Sequence, residues 1–91
     1  MTEKKKYLLY FFHMESDIGA ESLVNIERVV EKHFSGIFEI QKIDVYQDYE
    51  LAIEHKVRAT PCLLKIDSDN RRKKMIGGFK DQEVLITFLK N

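Results

Sequence analysis

The chain has 91 residues, 44 % of them hydrophobic and 33 % charged, which is globular composition rather than disorder and suits one domain (1–91) with no room for a second core. Fifteen basic and fifteen acidic residues cancel to a net charge of zero, so nucleic acid is not expected as a partner. Cys62 is the only cysteine, which rules out an intrachain disulfide, and no apolar run nears the ~20 residues of a membrane helix.

The start, Lys4-Lys5-Lys6, precedes an apolar run too short for a signal sequence, so a cytoplasmic location without membrane contact is expected. That run, Tyr7-Leu8-Leu9-Tyr10-Phe11-Phe12, is strand length and apolar on both faces, which predicts a central strand covered on both sides. A polar loop over 13–17 follows, with Ser16 or Asp17 placed to cap a helix. Leu23, Ile26, Val30 and Phe34, joined by Val29, recur at helical spacing and predict a helix over 19–34, ended by Gly36 in the left-handed region. Mixed polarity over 37–45 predicts an edge strand.

Asp48 is placed to cap a short helix over 49–55, with Leu51 and Ala52 facing inward. Cys62-Leu63-Leu64-Lys65-Ile66 reads as a third strand, opened by Thr60-Pro61. The turn formers Asp67-Ser68-Asp69-Asn70 connect it to a fourth strand over 72–76. Gly77-Gly78 breaks the chain and is the natural hinge, and a last helix over 81–90 carries Val84, Leu85, Phe88 and Leu89 on one apolar face. The result is an α/β fold of order βαβαββα: a four-stranded mixed sheet with helices on both faces, in an arrangement that resembles thioredoxin.

Thioredoxin-like enzymes carry a C-x-x-C pair between the first strand and the first helix, where the helix N-terminus favours thiolate. Here that loop is His13-Met14-Glu15-Ser16-Asp17-Ile18, so dithiol exchange has no sulfur there. Thr60-Pro61 matches the proline, usually cis, that faces the redox loop in this fold. It is either a ledge for a partner backbone or an architectural turn, with Pro61, Gly77 and Gly78 as structural positions. Cys62 is either a lone nucleophile or a small buried hydrophobe. His13, His33 and His55 are too scattered for a metal site, and the last two sit near helix C-termini, where an imidazolium suits the dipole. No enzyme, metal or cofactor is implied by any pairing of residues.

The pattern Ile43-Asp44-Val45, Leu51-Ala52, Glu54, Lys56-Val57 and Ala59-Thr60-Pro61 runs through nineteen consecutive positions and resembles the KaiB family of clock proteins. Phe34-Ser35-Gly36 and Met75-Ile76-Gly77 extend the likeness over almost the whole chain. The resemblance implies a non-enzymatic regulator that binds a KaiC-like RecA-type ATPase, or takes part with a signalling kinase, in clock or stress signalling. A homo-oligomer fits the family and the short chain. It also implies two folds, a thioredoxin-like state and a tetrameric alternative. Asp67-Ser68-Asp69-Asn70 stands where the family carries prolines, which favours a plain hairpin and the thioredoxin-like state. Two other functions fit the residues: a thiol enzyme using Cys62 alone, and a peptide-binding adaptor. The candidate binding positions are Phe38, Ile40 and Lys42 on the edge strand and Thr60 and Pro61 on the ledge.

Overall fold

All seven predicted elements are present, in the order β1 (Tyr7–His13), α1 (Asp17–His33), β2 (Phe38–Asp44), α2 (Tyr49–Glu54), β3 (Cys62–Ile66), β4 (Arg72–Ile76) and α3 (Gln82–Lys90). The computed structural model describes residues 7–14, 17–77 and 79–90. The strands form one sheet of order β2-β1-β3-β4, with β1 parallel to β2 and antiparallel to β3, and β3 antiparallel to β4. The aromatic run is thus a central strand, and β2 and β4 are the edges.

Alternation along the strands sends side chains to two separate cores. Leu9, Phe11, Phe38, Leu63 and Met75 pack under α1 and α3, together with Ile26, Val29, Val30, Leu85, Leu89 and Phe79. Phe12, Ile43, Cys62 and Leu64 form a smaller cluster on the opposite face, where α2 contributes Ala52. Helices therefore cover both faces, two on one side and one short helix on the other.

Several details depart from the sequence expectations. His13 ends β1 instead of opening a loop, and α1 begins at Asp17, so Asp17 lies inside the helix; Ser16 is outside the described residues. Asp48 occupies the N-cap position of α2 but makes no side-chain cap bond. Asp44 orders that turn instead: its Oδ1 accepts the Tyr46 N–H at 2.9 Å, and its carbonyl accepts the Asp48 N–H at 2.9 Å. Val84 is exposed, because the inward arc of α3 is narrower than its apolar sequence and is occupied by Leu85 and Leu89.

The second half is held by local polar contacts. Asp67 Oδ1 accepts the N–H groups of Asp69 and Arg71, both at 2.9 Å, and Asn70 takes a left-handed φ of 64° to close the β3–β4 turn. Gly77 takes a φ of 79°, which a side chain would strain, and the chain then turns to bury Phe79. Gly78 is outside the described residues. Asp81 caps α3, its Oδ1 accepting from Glu83 at 3.0 Å and Val84 at 3.3 Å. At the other end of α3, the buried Lys65 donates from Nζ to the Leu89 carbonyl at 2.7 Å and lies near the rings of Tyr7 and Phe38. A charge-assisted bond of this kind contributes roughly 1.5–3 kcal/mol.

Candidate protein-binding surface

Where thioredoxin-like enzymes hold their sulfurs, this chain ends β1 with His13, whose ring stacks on Phe11 at 6.0 Å, and continues to Met14. The register sets Phe12 opposite Cys62, so the Thr60–Pro61 ledge lies beside this end of β1. The Thr60–Pro61 peptide is cis, and both residues are half-buried. Cys62 is fully buried, and burial pushes its thiol above the ordinary range, with Lys74 opposing the shift. A thiol that is both covered and protonated is a poor nucleophile, and Cys62 packs in the smaller core.

The α2 corner is built differently. Ala52 points into the sheet, while Tyr49 and Ile53, four residues apart on the outer face, are 59 % and 69 % exposed. Tyr46, in the turn that Asp44 organises, is 70 % exposed. Tyr49 and Ile53 form an apolar, partly aromatic stripe on the outside of α2, and Tyr46 is exposed in the turn that precedes it. Lone exposed hydrophobes are ordinary, but a cluster of large ones on one element marks an interaction surface.

Beneath the stripe, His55 is only 7 % exposed, with its ring against Tyr10 and Phe12 at 5.6 and 6.2 Å. Among the described residues its Nδ1 has no hydrogen-bond partner. Burial, then the nearby Arg72, hold its pKa below the ordinary value; Glu54, 3.4 Å from Nε2, acts the other way, and Lys74 adds to the lowering. The imidazolium expected from the helix terminus is therefore disfavoured at His55. Lys74 takes over the terminal role: its Nζ donates to the carbonyls of His55 and Lys56, both at 2.9 Å. His33 is exposed at the end of α1.

The edge-strand positions are also placed. The Tyr7 N–H donates to the Ile37 carbonyl at 2.8 Å and the Val45 N–H to the His13 carbonyl at 3.0 Å. That parallel ladder uses the odd-numbered residues of β2 and leaves the backbone groups of Phe38, Ile40 and Lys42 toward the open edge. The Phe38 side chain is in the core against Tyr7 and Phe34, Ile40 is half-buried, and Lys42 is exposed. The β2 edge and the ledge are separate places, and the α2 stripe is a third. Sequence reasoning missed the stripe, although Tyr49 and Ile53 at i and i+4 carry its signal.

Comparison with known proteins agrees with this geometry. The KaiB domain model matches residues 10–91. The circadian clock oscillator protein KaiB of Microcystis aeruginosa is 31 % identical over 84 residues, spanning 91 % of this chain and 80 % of that protein. That of Nostoc punctiforme is 33 % identical over 81 residues, spanning 88 % and 77 %. Among solved structures, the N-terminal domain of Synechococcus elongatus SasA superposes with a TM-score of 0.79 at 18 % identity, covering 98 % of this chain and 84 % of that one. The germline-specific thioredoxin Deadhead of Drosophila melanogaster gives 0.77 at 24 %, covering 94 % and 80 %. These two likenesses establish the thioredoxin-like fold; the sequence matches over nearly the full length establish that the chain belongs to the KaiB family.

Proposed function

We propose that the protein is a non-enzymatic regulatory module that binds a KaiC-like RecA-type ATPase in clock or stress signalling, with the α2 stripe at the centre of the contact. Exposure of Tyr49 and Ile53 on one short helix, with Tyr46 exposed in the turn before it, carries this reading. Aromatic and aliphatic side chains of this size supply most of the energy at the centre of protein interfaces. Family membership supports the choice of partner, and the buried, protonated Cys62 argues against a thiol enzyme. The thioredoxin-like arrangement is the binding-competent and resting state, supported by the Asp67 turn bonds and the Asp81 cap in the half that would rearrange.

The test is a titration against the KaiC-like ATPase of the same organism with ATP present. A complex forms, and Tyr49→Ser with Ile53→Ser weakens it by about tenfold or more while leaving the circular dichroism spectrum unchanged. Absence of a complex, or full affinity in the double variant, defeats the proposal. Backbone chemical shifts of the free protein report the resting fold, with strand values over Arg72–Ile76 and helical values over Gln82–Lys90.

A further inference from the structure

The β4 edge is chemically unlike the rest of the molecule. Arg71, Arg72, Lys73 and Lys74 are consecutive and exposed, in a chain whose net charge is zero. Among the described residues no carboxylate reaches Arg71, Arg72 or Lys73 within ion-pair distance. Lys74 spends its hydrogen bonds on the carbonyls after α2.

The ladder also fixes which backbone groups are free. The Asp67 N–H donates to the Arg71 carbonyl at 3.1 Å, so by antiparallel alternation Lys73 and Met75 are bonded to Lys65 and Leu63. Arg72, Lys74 and Ile76 present their N–H and C=O groups outward. Shallow grooves flank this edge on both faces. One, of about 530 Å³, lies against α3, with Met75, Val84 and Phe88 beside Lys73 and Lys74 on the β4 side and the carboxylates of Asp81 and Glu83 at the start of α3, so an acidic occupant keeps its charges toward Arg71, Arg72 and Lys73. The other, of about 340 Å³, includes Val57, Arg58 and Ile76.

From this we infer that β4 is a docking edge for an extended acidic segment of another protein, added antiparallel as a fifth strand. Its carboxylates would lie opposite Arg71, Arg72 and Lys73, and its apolar side chains beside Met75, Ile76 and Val84. Backbone pairing supplies a general affinity, and the charges select the partner. A second copy of this chain is a poor occupant. Two β4 strands paired antiparallel about Lys74 place Lys74 on Lys74, and a shift to Lys73 sets Arg72 against Lys74, so like charges meet in either register. The surface shares no residue with Tyr46, Tyr49 and Ile53, and the variants that test it leave Lys74 in place, so its fate does not decide that of the α2 stripe.

The probe is a short capped peptide whose first half is Val and Thr and whose second half alternates Glu with Thr, titrated into isotopically labelled protein. Shifts and new exchange protection are expected at the amides of Arg72, Lys74 and Ile76, and affinity should fall with added salt. Arg72→Glu with Lys73→Glu should weaken binding by about tenfold or more, each tenfold being 1.4 kcal/mol. Methylating alternate backbone nitrogens of the peptide should abolish binding to the unmodified protein, a control that needs no variant to fold. The inference is overturned if β4 amides do not respond, if a peptide with Lys in place of Glu binds equally well, or if the perturbation falls at Phe38, Ile40 and Lys42. Equal competition by a single-stranded oligonucleotide would overturn it too, because the site would then read negative charge without a strand.

Discussion

The two faces of the sheet solve the same problem with unequal means. On one, α1 and α3 close a core that includes Leu9, Phe11, Leu63 and Leu85, all within 1 % of complete burial, and even the charged Lys65 beneath it has a bonded partner. On the other, six residues of α2 contribute one buried side chain, His55 keeps a ring nitrogen without a partner among the described residues, and Tyr49 and Ile53 face outward. The first face carries the stability, and the second leaves large side chains free for a partner. The contrast fits a regulatory protein whose proposed contact lies in the less firmly held part of the fold.

The comparison breaks most visibly where the larger core is opened. Leu85→Ala should cost about 2–5 kcal/mol in denaturant-midpoint measurements, since a fully buried leucine leaves both lost transfer energy and a cavity. A smaller test sets the helix caps against each other. Asp81→Ala should cost about 1 kcal/mol, because two α3 amides lose their acceptor. Asp48→Ala, before α2, should stay within about 0.5 kcal/mol, since its side chain caps nothing.

pH sharpens the contrast from the α2 side. Burial and the neighbouring cations Arg72 and Lys74 keep His55 harder to protonate in the folded protein than in the unfolded chain, Glu54 notwithstanding. Between the two pKa values the unfolded chain binds more protons. Stability should therefore fall as pH drops below about 6.5, and level off below the folded value. His55→Leu should flatten that slope. The smallest effect is local: Lys74→Met removes the amine that holds the carbonyls after α2. Amide exchange in α2 should quicken, with α1 and α3 unchanged.

Most of the fold was legible because the signals were local. The aromatic run over 7–12 is too apolar for anything but a central strand, and Asp67-Ser68-Asp69-Asn70 is turn chemistry wherever it stands. The bounds of β3 and β4 agree with the structure residue for residue. What stayed hidden depended on contacts across the chain. Lys65 lies in an apolar strand, but only the position of α3 shows that its amine meets the Leu89 carbonyl. His55 reads as a solvated helix terminus until Tyr10 and Phe12 are seen to cover it. Phe79 follows the glycine pair with no periodic neighbours and is nonetheless buried. The candidate surface was harder still, because an exposed hydrophobe is recognised only once the core is known.

The central place of β1 has a consequence for biosynthesis. Of the four strands it is made before the others, yet its partners are β2 and β3, so it stays incompletely paired until Ile66 has been made. At ~5–20 residues per second, that wait is a few seconds for a segment of six apolar residues with high strand propensity. Lys4-Lys5-Lys6 stands directly before it, where clustered positive charge opposes stacking of one nascent chain on another.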